Sequence, residues 1–133
     1  MTRKEEREQA FILLFEKSFH PDSDLDSLYD LALEDAVIGE SDFAKQLFFR
    51  TWEAHEAIDA CIERSSRNWK ISRISKVALA VLRLAVCEIL YFDEIPEKVS
   101  VNEAVELSKK YGASDDSSFV NGVLGAVLRS RDE

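Results

Sequence analysis

Proline occurs twice and glycine four times in 133 residues, and this scarcity excludes a sandwich or barrel, which would need turn residues at short regular intervals. Cysteine is almost as sparse. Cys61 and Cys87 lie far apart and form no CxxC pair, so neither a disulfide framework nor a zinc site is expected, and both thiols should be reduced. No apolar run reaches the roughly 18 residues of a membrane span. Thr2 to Arg7 is polar throughout, so no secretory leader is expected and the protein is placed in the cytoplasm. What is abundant is apolar and charged: 46% hydrophobic residues and 32% Asp, Glu, Lys and Arg, enough for one helical domain spanning 1–133 with its own core.

Hydrophobic periodicity divides the chain into helices. Ala10, Phe11, Leu14 and Phe15 sit at helical spacing in a first amphipathic segment that His20-Pro21 ends. Leu25, Leu28, Leu31 and Ala32 predict a second helix running toward Gly39. From a cap at Ser41 or Asp42, the residues Phe43, Leu47, Phe48, Trp52 and Ile58 predict one long third helix to Ile62. Ser75 caps the next. Val77 to Tyr91 is apolar on nearly every face and should be the buried centre, with Arg83 paired to Glu88 or Glu103. Ser100-Val101-Asn102-Glu103 reads as a capping box, Gly112 as a C-terminal stop, and Asp115-Asp116 as the start of a last helix carrying Phe119, Val120, Val123, Leu124, Val127 and Leu128.

The net charge of −9 is unevenly spread. Residues 22–63 carry twelve acids against two bases, whereas residues 64–83 carry six bases and no acid. Within the latter, Arg64, Arg67, Lys70, Arg73 and Lys76 recur at every third position. Such a series can line a polyanion, or it can be a solvated loop that balances the acidic third helix. Phe15 and Phe119 are likewise open to two readings, as core rings or as exposed platforms for base stacking beside cations.

Catalytic groups are absent as a set. His20, His55 and the two cysteines are scattered, no nucleophile–base pair can be assembled, and there is no phosphate loop. His55 and Asp59 stand four apart on a helix, but no further ligand pair accompanies them. Gly122 and Gly125, inside an apolar helical pattern, should permit close packing or the close approach of a partner. No enzyme activity, cofactor or metal is expected.

The segments Val81-Leu82-Arg83-Leu84-Ala85, Asn102-Glu103-Ala104-Val105-Glu106-Leu107-Ser108-Lys109-Lys110-Tyr111-Gly112 and Phe119-Val120-Asn121-Gly122-Val123-Leu124-Gly125, in that order, closely resemble the NusB family. Arg7 and Ala10 ahead of Leu14-Phe15 extend the likeness to the first helix. The resemblance implies an all-α fold of two three-helix bundles packed into one compact domain. It also implies a non-catalytic role in processive antitermination of ribosomal RNA transcription, with boxA-type RNA and the ribosomal protein NusE as partners, in an RNA polymerase complex with other Nus factors. Carried over by position, the RNA-facing set is Arg3, Lys4 and Arg7, then Phe15, then Asp115 and Phe119. Glu5 and Glu6 interrupt the basic start, and Ser118 stands where a lysine commonly precedes the phenylalanine. The alternative implied by these departures is a protein–protein adaptor or homodimer of the same fold with a weakened RNA face.

Overall fold

The computed structural model describes residues 1–67 and 69–131, and every ordered element among them is helical. The first helix, α1 (Arg3–Phe19), opens on a complete capping box. Thr2 Oγ1 accepts from the Glu5 amide at 3.1 Å while Glu5 Oε1 accepts from the Thr2 amide at 3.0 Å, satisfying two otherwise unpartnered donors. The acids that interrupt the basic start are therefore helix-terminus groups. Those bonds, with the Thr2 backbone amide foremost, hold the Glu5 carboxyl below its ordinary pKa. At the other end, the ammonium of Lys17 is folded inward, 2% exposed, and donates to the carbonyls of His20, Pro21 and Ser23. A cation at a helix C-terminus meets both the dipole and the orphan carbonyls there.

The second helix, α2 (Leu25–Glu34), starts at Asp24, whose carboxylate accepts from the Ser27 amide. It stops well short of Gly39. Ala36 takes a left-handed φ of 56°, and the Val37 and Ala36 amides turn back to the carbonyls of Ala32 and Leu33, the Schellman arrangement that usually recruits glycine. An alanine in that role is invisible to a reading that waits for glycine.

The expected long third helix is two helices, α3 (Asp42–Glu53) and α4 (His55–Ser65), as the break at Ala54 shows. His55 Nδ1 sits 2.6 Å from the Trp52 carbonyl and its ring stacks on the Trp52 indole at 4.3 Å. A side chain that takes a main-chain carbonyl competes with the helical ladder at that turn. The chain then turns through Arg67, also left-handed with φ 59°, and a short 3-10 turn over Ile71–Arg73.

Ser75 caps α5 (Lys76–Tyr91) through its hydroxyl, which accepts from the Ala78 amide. Ala78 through Ile89 are buried without interruption. This helix packs against α1, α3, α4, α6 and α7, so it has no face left for water. The sixth helix, α6 (Glu97–Tyr111), begins four residues earlier than expected, with Pro96 at the cap position. Ser100 is therefore inside the helix and buried, and its hydroxyl donates to Glu88 rather than capping. Gly112 does end α6, but in an extended conformation, not a left-handed one. Glycine is needed there for space, since a Cβ would lie 2.6 Å from Asp116 Oδ2 and 2.7 Å from the Ser108 carbonyl oxygen. The last helix, α7 (Asp116–Arg131), packs on α4, α5 and α6.

The helices thus form an α1–α3 group and an α5–α7 group that share α5 as their common wall, with α4 lying across α5 and α7. One hydrophobic cluster runs through both groups, from Leu14 and Phe48 to Leu82 and Leu124. Two ion pairs stitch it, one partly and one fully buried. Arg83 is bound bidentately by Asp59 of α4 at 2.8 and 2.7 Å, not by Glu88 or Glu103, because the break at Ala54 swings α4 against α5. Arg7 takes Glu88 instead, at 2.7 and 3.0 Å, and Ser100 completes that carboxylate at 2.8 Å. Every side-chain polar atom buried among the described residues has a partner, the condition under which buried charge is tolerated.

Candidate nucleic-acid interface

The N-terminal turn of α1 carries Arg3 and Lys4 into solvent. Arg3 lies with its guanidinium carbon 3.8 Å above the Phe43 ring and 4.0 Å from Glu6. Lys4 Nζ is 3.3 Å from Glu103 on α6, and Lys110 Nζ on the same helix is 2.8 Å from Glu8. That bond raises the Lys110 pKa. These pairs are solvent-exposed on the cation side, and exposed ion pairs contribute only about 0–1 kcal/mol. Exchanging a carboxylate for a phosphate therefore costs little.

Arg7 is a different case. It is 3% exposed, shares a cleft with Lys4 and Lys110, and donates from Nε and Nη2, one edge of its guanidinium, to Glu88. A guanidinium so little exposed, and held along one edge by a buried carboxylate, leaves little surface for a phosphate outside. Arg7 holds α1 to α5.

Further along α1, Phe11 stacks on Phe15 with ring centroids 5.9 Å apart, and Phe19, one turn on, meets Phe15 edge-to-face at 5.0 Å. Tyr111 from the end of α6 lies 4.9 Å from Phe11. Phe11, Phe15 and Tyr111, together with Ile12, Glu16 and Val77, line an open groove of about 270 Å³. Phe19 and Tyr111 are exposed and Phe15 is half-buried. Cations flank the strip: Lys76 Nζ is 5.1 Å from the Phe19 ring and Lys110 Nζ 5.4 Å from that of Tyr111. Phe15 was legible as a candidate from the sequence, whereas Phe11, Phe19, Tyr111, Lys76 and Lys110 were not singled out for this face. The spacing of four between the three phenylalanines was the available signal.

Asp115 is exposed in the turn before α7, and its carbonyl accepts from the Phe119 amide at 3.2 Å. Asp116 is occupied, accepting from the Ala113 amide and from the Ser75 hydroxyl. That contact ties the start of α7 to the start of α5. The Phe119 ring is half-buried and lies 5.5 Å from Trp69, so its partner ring is on the α4–α5 loop and not on the α1 strip. The candidates therefore fall along a path, from Arg3 and Lys4 past Phe15 to the start of α7, and not into one pocket. The His55/Asp59 pair weighed for metal is divided, since Asp59 faces Arg83 and His55 faces the Trp52 carbonyl. Among the described residues no group of three His, Cys, Asp or Glu side chains is placed to hold a metal ion, and no helix is long and apolar enough to cross a membrane.

A helical core with a cation-edged aromatic face defines a class of small all-α proteins that work by binding. Residues 4–129 match the NusB family, and the chain belongs to that family. It is 47% identical over 128 residues to the transcription antitermination protein NusB of Agathobacter rectalis, covering 93% of this chain and 97% of the relative. Among solved structures, T. maritima NusB superposes with a TM-score of 0.85 at 32% identity, over 97% of this chain and 92% of the other. A crystal structure of the antitermination factors NusB and NusE in complex with dsRNA gives a TM-score of 0.85 at 29% identity, over 96% of both chains.

Proposed function

We propose that this protein is a transcription antitermination factor that binds boxA-type RNA of nascent ribosomal RNA transcripts together with NusE, in an RNA polymerase complex with other Nus factors. It acts in the cytoplasm, as a single RNA-binding domain over residues 1–133, by binding and without turnover. The observation that carries the reading is the set of accessible rings Phe15, Phe19 and Tyr111, backed by the buried ring of Phe11 and edged by Lys76 and Lys110. Single-stranded RNA recognition needs rings on which bases stack and cations that hold the adjacent phosphates. Arg3, Lys4, Phe15, Asp115 and Phe119 make up the proposed RNA-facing set, and Arg7 is replaced in it by Lys76 and Lys110.

Glu5 and Glu6 in the basic start and Ser118 in place of a lysine favour modest affinity for RNA by this chain alone, with NusE supplying the remainder. Titration of a labelled boxA-like RNA with and without NusE tests the reading. Binding that strengthens with NusE and weakens with salt is expected. Each phosphate contact on a single strand contributes a log–log salt slope of about −0.7. Failure to bind in either condition, with a concentration-dependent dimer instead, would favour the adaptor reading.

A further inference from the structure

The loop between α4 and α5 presents an aromatic surface separate from the α1 strip. Trp69 is 51% exposed, although a tryptophan ordinarily covers most of its large ring. It is not a loose end. The Ser66 hydroxyl donates to the Glu63 carbonyl and reaches the Trp69 carbonyl, and the Glu63 carboxylate accepts from the Ile71 amide. An open groove of about 360 Å³ lies between this loop and α7, with Trp69 and Phe119 on its walls, Arg67 and Arg129 at its edges and Ser118 and Gly122 among its lining. Gly122 is within a helix, where glycine is a poor residue, yet a Cβ there would meet nothing within 4 Å. Packing inside the chain does not require that glycine.

The charge around the groove selects its occupant. Arg67 at the groove, and Arg64, Lys70 and Arg73 near it in sequence, form no ion pair among the described residues, in contrast to Lys4 and Lys110. A run of unpartnered cations beside an exposed indole matches a polyanion that carries flat rings. We infer that this groove is a nucleobase site, in which an unpaired base of single-stranded RNA stacks on Trp69 beside Phe119 and close to Gly122, with the adjoining phosphates on Arg67 and Arg129. The inference rests on the RNA-binding function proposed above and extends it from Phe119 onto the α4–α5 loop.

The test uses the full chain and a short labelled single-stranded boxA-like RNA, with melting temperature measured for every variant. Trp69→Leu should weaken binding at least fivefold, in line with the loss of one stacked base, and should abolish the RNA-induced quenching of tryptophan emission. Gly122→Gln is the second variant, needed in case Trp69→Leu unfolds. It should raise the melting temperature, since any ordinary residue outperforms glycine in an open helical position, and should still weaken binding by filling the groove. If both variants bind as the wild type does while Lys4→Gln and Phe15→Leu are impaired, the groove holds no base and the proposed function stands without it. If the wild type binds no RNA, the proposed function fails and this inference with it. If Trp69 emission shifts with protein concentration in the absence of RNA, a second copy of the chain occupies the groove and the inference is overturned.

Discussion

Replacing Arg7 separates the role its position in the sequence suggested from the role its surroundings impose. In Arg7→Met a buried carboxylate, Glu88, keeps only the Ser100 hydroxyl, having lost two charge-assisted bonds of 2.7 and 3.0 Å. Breaking a buried pair by removing one partner costs about 3–5 kcal/mol, a large share of the roughly 5–15 kcal/mol that holds a domain folded. With a urea m-value of about 2 kcal/mol/M, the midpoint should fall by roughly 2 M. The double variant Arg7→Met, Glu88→Gln removes both charges and should recover part of the loss, because a coupled pair gives a non-additive cycle. In RNA titrations under conditions where the variant is folded, the salt slope should match the wild type. A variant with stability changed by less than about 1 kcal/mol, and with a slope shallower by one phosphate contact, would show that Arg7 reaches the RNA and that its burial has been misjudged.

Leu82→Ala, at a fully buried position of α5, should cost about 2–5 kcal/mol in denaturant unfolding; a loss under 1 kcal/mol would move α5 out of the centre. Burial pushes the Cys87 thiol from its usual 9.0 up to about 11. Its raised native pKa means that the contribution of the neutral thiol is complete below pH 9 and is lost as pH rises toward 11. Urea midpoints of the wild type should therefore fall more steeply over that window than those of Cys87→Ala, and parallel curves would contradict the assignment. Phe15→Leu keeps an apolar side chain but removes a ring between Phe11 and Phe19, so RNA affinity should drop about fivefold or more with little change in melting. Equal affinity would take Phe15 out of the interface.

Local pattern was enough wherever a residue's role depends on its chain neighbours. The caps at Ser41 and Ser75, the all-round apolar character of Val77 to Tyr91, and the stop at Pro21 each follow from backbone hydrogen bonding or from the period of side chains within one helix. The family likeness was legible for the same reason, since it rests on contiguous segments. Tertiary structure alone decided the partners of charged groups. Arg7 and Glu88 are 81 positions apart, and Arg83 finds Asp59 at a separation of 24, because pairing is set by which helix faces come together. The break at Ala54, beside which His55 meets the Trp52 carbonyl, starts a separate α4 that carries Asp59 to Arg83. Ser100, placed by sequence as a cap, became the third member of the Arg7–Glu88 pair once Pro96 opened the helix earlier. The aromatic strip was likewise out of reach of the sequence in one respect. Spacing aligns Phe11, Phe15 and Phe19 on one side of α1, but only the packing of α5 and α6 against that side leaves Phe19 and Tyr111 exposed and brings Lys76 and Lys110 to their edges.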